Sequence, residues 1–178
     1  MKEFCRFLYL SCYPYSMPHS PVGENILYNP DFSKGLDGWD SATLNGFNTL
    51  QTNTITGNVL NMKMTPQNAQ SPKNRMTLLQ FLDTLPLSNY KFSIDVKANK
   101  LIPGSESRIQ FKQISTTRGQ LGLGDGGSIE IKSDDLGKWI HLEGTDNGVT
   151  PYQPYNPGLD VTGIEDVDVK NPEIVRLD

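Results

Sequence analysis

The 178-residue chain has few cysteines, few charges and no long apolar run, and each scarcity argues against a class of protein. Its two cysteines, Cys5 and Cys12, form either a pair or two free thiols, and no further ligand at metal-site spacing accompanies them. Charged residues amount to 20%, the net charge is -4, and lysine and arginine form no cluster, so nucleic acid is not expected as a partner. No window approaches the roughly 20 apolar residues of a membrane span.

Residues suited to catalysis are also scarce. His19 and His141 are the only histidines, and the G-x-S-x-G pattern of a nucleophile elbow does not occur. A glycosidase needs two carboxylates roughly 5–10 Å apart across a cleft, whereas the acids of this chain stand in loops and at outward strand positions, where solvated charges are usual. The sequence therefore predicts a protein that is not an enzyme.

What the chain has in abundance is turn residues and period-two alternation. Its 16 Gly and 12 Pro favour short strands and turns over helices. Apolar and polar side chains alternate in five segments, which predicts half-buried strands at 60–64, 90–97, 108–112, 129–132 and 139–143. The tail 164–176 alternates again until Pro172 interrupts it, and weaker strands are predicted at 26–28, 44–51 and 77–82.

About nine strands in one chain of this length, with no amphipathic helix, predict an all-β domain. Alternation on one face of each strand indicates two sheets that pack across a single core. The expected fold is a two-sheet antiparallel β-sandwich or jelly roll.

The segment ENILYNPDFSKGLDGWD, residues 24–40, combines an apolar start with an Asn-Pro turn, two glycines and a tryptophan. We expect residues 25–28 to enter as a strand and Pro30 to turn the chain. The two glycines permit a tight loop that returns Trp39 to the same end of the sandwich as Phe32. Both rings are predicted to close that end of the core, where burying each contributes about 2–3 kcal/mol of transfer free energy.

This segment resembles the opening of carbohydrate-binding modules with a galactose-binding-like jelly-roll fold, which occur beside xylanases and other glycanases and in phage tail and baseplate proteins. The matching residues are, in order, Asn25, Asn29, Phe32, Gly35, Gly38 and Trp39. Later matches are LPLSNYKFSIDVKA, GKWIHLEG and a closing strand with two Asp residues. The resemblance covers about residues 23–178 and implies a jelly-roll module preceded by an N-terminal extension, residues 1–22.

The resemblance also implies a structural ion. Members of that family often hold calcium where the first and last strands meet, with acidic side chains and carbonyl groups as ligands. Glu24 precedes the first predicted strand, and Asp166 and Asp168 share one side of the last. Oxygen ligands suit calcium, so these three residues are the predicted calcium ligands. The alternative is that they are ordinary solvent-facing acids.

Sugar recognition requires aromatic platforms beside amide, acid and guanidinium groups, because a sugar presents apolar C–H faces and rings of hydroxyls. The proline-rich loop TPYQPYNPG and the outward face of the strand around residue 110 supply such groups. The predicted ligand-binding residues are Phe47, Arg108, Gln110, Tyr152, Gln153 and Tyr155. The alternative for the two tyrosines is packing of the loop on the sandwich edge. Trp39 and Trp139 are both predicted to lie in the core.

These expectations combine into one function. The chain is predicted to be a non-catalytic module that binds polysaccharide, either on a virion as part of a phage tail or baseplate or on a cell surface. Residues 1–22 are then an aromatic arm that joins other virion subunits, or a secretion leader. The alternative function is a purely structural virion or surface protein, in which the sandwich makes protein contacts and binds no sugar.

Overall fold

The computed structural model describes residues 21–41, 51–68, 71, 74–80, 89–113, 127–147 and 157–178, which form an all-β sandwich. Nine strands lie in this part of the chain: β1 Gln51–Thr56, β2 Val59–Met64, β3 Arg75–Leu79, β4 Asn89–Leu101, β5 Arg108–Gln113, β6 Ser128–Glu130, β7 Ile140–Asn147, β8 Pro157–Thr162 and β9 Ile164–Arg176. A 3₁₀ turn at Ser133–Asp135 precedes β7. Over these residues no helix is long and apolar enough to cross a bilayer.

Two antiparallel sheets make up the sandwich. The five-stranded sheet has the order β1-β2-β9-β4-β7, and the four-stranded sheet has the order β3-β8-β5-β6. All neighbouring strands pair antiparallel. The predicted two-sheet antiparallel β-sandwich is therefore confirmed.

The core lies between the sheets and follows the alternation of the strands. In β4, Tyr90, Phe92, Ile94 and Val96 are buried, as a period of two predicts. Phe92 meets Phe111 of the other sheet edge to face, with 5.8 Å between the ring centroids, a geometry that aromatic pairs favour. Burial of each such side chain contributes about 1.5–3 kcal/mol, so these contacts across the core hold the two sheets together.

One end of the core is closed by Phe32 and Trp39. Their side chains are only 1% and 8% exposed, and their ring centroids lie 5.6 Å apart. The indole Nε1–H of Trp39 donates to the carbonyl oxygen of Asn29 at 3.0 Å, which satisfies its only polar group. The predicted pair of aromatic residues at this end of the sandwich is confirmed.

The N-terminal segment joins β9 through two backbone hydrogen bonds and through the side chain of Asn25. The Gly23 N–H donates to the Arg176 carbonyl and the Ile26 N–H to the Ile174 carbonyl, both at 2.9 Å. The predicted strand 25–28 is wrong, because this segment makes only isolated bridges, among them Asn25 with Val175. Asn25 Nδ2 donates to the carbonyl oxygen of Pro172 at 3.1 Å, and Oδ1 accepts from the Ile174 N–H at 3.1 Å. The amide side chain thus adds a donor and an acceptor to the two backbone bonds between this segment and β9.

Other strand predictions change in their bounds. β9 continues through Pro172, which was expected to interrupt it, because a bulge with Asn171 at a φ of 51° shifts the register against β4. β1 begins at Gln51, the last residue of the predicted strand 44–51, and β3 overlaps the predicted strand 77–82. Gln80, the next residue of the latter, is not in a strand, and the parts 44–50 and 81–82 lie outside the described residues. β8 was not predicted, because the asparagine and prolines around it indicated a turn.

Candidate functional site

Each sheet has one face on the core and one outward face. The outward side chains of the four-stranded sheet form what we call the four-strand face: Arg75, Thr77, Arg108, Gln110, Ser128, Glu130, Asp160 and Thr162. Those of the five-stranded sheet, with the residue just before β7, form the five-strand face: Asn61, Lys63, Lys91, Asp95, Lys97, Trp139, His141, Glu143, Asp166, Asp168 and Lys170. The two faces lie on opposite sides of the molecule.

An ion pair on the four-strand face joins the edge strand β3 to the interior strand β8. Arg75 donates from Nε to Asp160 Oδ1 and from Nη2 to Asp160 Oδ2, both at 2.6 Å. The side chain of Asp160 is 5% exposed and that of Arg75 is 28% exposed. A bidentate ion pair fixes the orientation of both the guanidinium and the carboxylate. The face therefore holds a partly exposed guanidinium whose orientation is fixed by a buried carboxylate, so it needs little further ordering when a polar ligand binds.

Sequence reasoning did not single out this pair. Arg75 precedes the predicted strand 77–82, and Asp160 falls next to a proline-rich segment that indicated a turn. The available signal was the position of Asp160 between Leu159 and Val161, both of which are buried. An apolar–charged–apolar triplet is typical of a strand with one face on a core.

Two of the predicted binding residues lie beside this pair. Gln110 of β5 is directly opposite Asp160 of β8, and Arg108 is opposite Thr162. Opposite residues on one face of a sheet have Cβ atoms about 4.5–5.5 Å apart. Arg108 is exposed, with Nη1 3.9 Å from Glu106 Oε1, and Gln110 is half-buried. The structure therefore brings Arg108 and Gln110 onto one polar surface with the buried carboxylate.

The aromatic part of the predicted site lies outside the described residues. Phe47, Tyr152, Gln153 and Tyr155 all belong to that remainder of the chain. Their part in sugar binding stays a prediction. Within the described residues, the predicted site consists of Arg108 and Gln110 alone.

The predicted calcium ligands are divided between two places. Asp166 and Asp168 share the five-strand face, where Asn61 Nδ2 donates to both carboxylates at 2.7 and 2.8 Å. Glu24 lies towards the other end of β9, near the bridge to Val175, roughly 20 Å away along the strand from Asp168. In the described residues, no three acidic, histidine or cysteine side chains are grouped as a metal site requires. Calcium binding stays a prediction.

Trp139 lies on the five-strand face and not in the core, where it was predicted. It is 39% exposed, because it precedes β7 by one residue and shares the outward side with His141. The ammonium groups of Lys97 and Lys170 lie 4.9 and 4.1 Å from its ring centroid, within the range of a cation–π contact. Of the two tryptophans, only Trp39 occupies the predicted core position.

A hydrogen-bonded histidine occupies the same face. His141 Nδ1 lies 2.7 Å from Asp95 Oδ1, and Asn171 Nδ2 donates to Asp95 Oδ2 at 2.8 Å. The bond to Asp95 raises the pKa of His141 above its ordinary value, and Glu143, 3.5 Å from Nε2, adds to this effect. Both ring nitrogens therefore face carboxylates, an arrangement that suits an imidazolium cation and not a base for a nucleophilic hydroxyl.

Burial and hydrogen bonding act in opposite directions on Asp95. Partial burial acts to raise its pKa, but the bonds from His141 and Asn171, with the nearby charge of Lys170, lower the pKa below its ordinary value. Asp95 is therefore a fixed anion at neutral pH. The five-strand face offers fixed charges and amides beside an exposed aromatic ring.

Comparison with known proteins identifies the fold. No protein-family model and no curated protein sequence match the chain. The C-terminal family 22 carbohydrate-binding module of Clostridium thermocellum Xyn10B has a TM-score of 0.57 at 12% identity, with 88% of this chain and 98% of that chain covered. A family 4 module has a TM-score of 0.55 at 9% identity, with 89% of this chain and 95% of that chain covered. A family 61 module has a TM-score of 0.54 at 16% identity, with 86% of this chain and 99% of that chain covered. The chain has the β-sandwich fold of carbohydrate-binding modules, as its N-terminal segment indicated.

Proposed function

We propose that this chain is a non-catalytic glycan-binding module and that the four-strand face is its binding surface. The observation that carries this proposal is the fixed ion pair of Arg75 with Asp160, which lies beside Gln110 and Arg108 on the outward side of one sheet. Sugars are bound through many hydroxyl groups, each of which needs a donor or an acceptor in a fixed direction. A sheet holds such groups more rigidly than a loop does.

The similar structures support the class of ligand. The family 61 module was solved in complex with β-1,4-galactotriose, and a Clostridium thermocellum xylanase with a family 22 module was solved with xylohexaose. At such low sequence identity, the comparison shows the fold but does not show which residues of this chain bind a ligand. We therefore take from these proteins only the ligand class, an oligosaccharide, and use these two sugars as the first probes for this chain.

The apolar faces of the sugar require an aromatic partner. We assign this role to Phe47, Tyr152 and Tyr155, with Gln153 as an amide partner, because prolines on either side of the two tyrosines restrict the loop and reduce the entropy lost on binding. Aromatic rings stack on the C–H faces of sugars through dispersion and hydrophobic contact. The four-strand face then supplies the hydrogen bonds.

Isothermal titration calorimetry with xylohexaose and β-1,4-galactotriose tests the binding surface. Arg108→Met and Gln110→Leu remove hydrogen-bonding groups and keep most of the side-chain bulk. We expect each to weaken binding about 5- to 10-fold, because one such hydrogen bond contributes about 1 kcal/mol. Thr54→Val is the matched control, since Thr54 is exposed on β1 of the other sheet.

Two results would count against the proposal, and they differ in meaning. Unchanged affinity in both Arg108→Met and Gln110→Leu would reject the four-strand face while glycan binding stands. Absence of binding to either probe and to every sugar of a glycan array would reject glycan binding itself. Thermal unfolding of each variant is measured alongside, because Gln110 is half-buried.

The proposal also covers where the chain is located and whether it has catalytic activity. The resemblance to modules of phage tail and baseplate proteins supports a place on a virion or a cell surface, with residues 1–22 as a connecting arm. The competing function is a purely structural protein of such a surface. Retention of the chain on whole-cell polysaccharide that is lost in Tyr152→Ala and Tyr155→Ala would support adhesion. No retention of the wild-type chain would support the structural role.

Turnover of a chromogenic glycoside would contradict the non-catalytic assignment.

A further inference from the structure

We propose that the five-strand face carries a second glycan-binding surface, centred on Trp139, and that this surface binds a sugar with a carboxylate group, such as a uronic acid. This inference goes beyond the function proposed above, since it concerns the opposite side of the sandwich and shares no residue with the four-strand face. Either surface can fail without the other.

The position of Trp139 provides the first argument. It is 39% exposed and lies at the edge of a sheet whose outward side is otherwise polar. Its ring contributes little to the core, which is closed at one end by Phe32 and Trp39. An exposed indole fixed on a rigid sheet presents a flat apolar surface of the size that a sugar ring covers.

The charges around the ring provide the second argument. Lys97 and Lys170 place their ammonium groups 4.9 and 4.1 Å from the ring centroid. The charge of Lys97 is balanced, because its Nζ lies 2.9 Å from Asp168 Oδ2. Lys170 makes no ion pair within 4.0 Å among the described residues and has the indole ring as its contact. Asp95 lies opposite Lys170 on β4, but its two carboxylate oxygens bond to His141 and Asn171. The Lys170 ammonium therefore contacts the ring, and no carboxylate of the described residues contacts it directly.

The absence of a direct ion pair at Lys170 within the described residues determines the kind of sugar. A neutral sugar stacked on the indole would leave the Lys170 ammonium without a carboxylate in direct contact. A uronate places its C–H face on the ring and its carboxylate on Lys170, so that stacking and an ion pair form together. The net charge of the whole chain is -4, so long-range attraction does not favour an anion, and the selectivity depends on this local contact.

The remaining groups of the patch are already oriented for hydroxyls. Asn61 Nδ2 donates to Asp168 at 2.8 Å, and Asn171 Nδ2 donates to Asp95 at 2.8 Å. The second oxygen of each carboxylate also has a partner, since Asp168 Oδ2 lies 2.9 Å from Lys97 Nζ and Asp95 Oδ1 lies 2.7 Å from His141 Nδ1. Each oxygen has a second lone pair that can accept from a sugar hydroxyl. Because the partners are fixed before the ligand arrives, little side-chain entropy is lost on binding.

Tetragalacturonate and its carboxyl-reduced, neutral form are the probes for this surface. Titration is followed by tryptophan fluorescence, in which the exposed Trp139 responds to a stacked sugar and the buried Trp39 does not. We expect the acid to bind and the reduced form to bind at least 10-fold more weakly. Trp139→Ala and Lys170→Gln are each expected to weaken binding of the acid at least 5-fold, and 0.5 M NaCl is expected to weaken binding of the wild-type chain.

The controls separate this surface from the first one. Arg108→Met is the exposed control substitution on the opposite side of the sandwich, and it measures any contribution of the four-strand face. Because Trp139 is exposed, its substitution removes little of the core, and thermal unfolding checks that Trp139→Ala is folded. Lys170→Gln keeps the indole ring and removes only the charge of the lysine. Equal affinity for the acid and its reduced form would overturn the carboxylate preference. Binding of the acid that survives both Trp139→Ala and Lys170→Gln, or no binding of the acid, would overturn the second surface.

Discussion

The side chain of Asn29 organises the turn that carries Phe32 and Trp39. Its Nδ2 donates to the carbonyl oxygens of Gly35 at 2.9 Å and Asp37 at 3.1 Å, and its Oδ1 accepts from the Lys34 N–H at 3.0 Å. Its own φ is 50°, a conformation that asparagine tolerates better than most residues. One residue therefore satisfies three backbone groups of a loop that makes no ladder of its own.

Also at the residue scale, His141 makes stability depend on pH. The hydrogen bond to Asp95 raises the pKa of His141 above 6.5. A group whose pKa is raised on folding stabilises the fold fully below its unfolded pKa, and this contribution is lost as the pH rises through the folded pKa. We expect the stability difference between the wild-type chain and His141→Gln to decrease from pH 6 to pH 8, by less than about 1 kcal/mol, because the ring is mostly exposed.

Urea unfolding at several pH values measures this difference, and NMR titration of the His141 ring measures the pKa directly. Asp95→Asn is the matched variant, since it removes the charge and keeps the shape. It is expected to return the His141 pKa towards 6.5. A His141 pKa that is the same in the wild-type chain and in Asp95→Asn would contradict the assigned cause.

At the scale of elements, the connection between β8 and β9 is tightly constrained. These strands belong to different sheets, and Gly163 alone joins them. Its N–H donates to the Asn74 carbonyl at 2.8 Å, and its carbonyl accepts from the Ile102 N–H and the Ser107 hydroxyl, both at 3.0 Å. The chain can pass from one sheet to the other here because this residue has a φ of 67° and no side chain.

Gly163→Ala tests this constraint. A Cβ at this position would overlap the carbonyl oxygen of Glu106, so the backbone has to move. We expect Gly163→Ala to reduce the free energy of unfolding by at least about 2 kcal/mol more than Gly57→Ala does, because overpacking adds to the cost of a positive φ. Gly57, in the β1–β2 turn, has a φ of 60° and open space around its Cβ position. Equal losses in urea unfolding of the two variants would show that the overlap has no effect.

At the scale of the whole molecule, the predicted boundary at residue 23 can be tested by deletion. The buried hydrophobic cluster of the described residues extends from Leu27 to Ile174. We expect a chain without residues 1–20 to keep the near-ultraviolet circular dichroism and the melting temperature of the full chain. A chain without residues 1–26 should melt at a lower temperature, because it also loses the contacts of Asn25 with Pro172 and Ile174. Equal loss of stability in both deletions would place the boundary elsewhere.

The sequence by itself determined which side of a strand faces the core. Alternation in β4 assigned Tyr90, Phe92, Ile94 and Val96 to the interior, and spacing in the first loop assigned Phe32 to the end of the core. These assignments depend on the geometry of consecutive residues, in which successive side chains point to opposite faces. The same rule placed Arg108 and Gln110 outward, where the structure has them.

Only the tertiary structure decided which strands are neighbours and hence which side chains share a surface. The alternation of apolar and polar residues does not show that β8 lies between β3 and β5. It therefore could not place Asp160 beside Gln110 or in contact with Arg75. It also could not show that Trp139 stands at a sheet edge with two lysines from inner strands, or that Asn25 supports β9 around Pro172. Pairing between strands joins residues far apart in sequence, and its energy arises from burial and hydrogen bonds that exist only once both sheets are assembled.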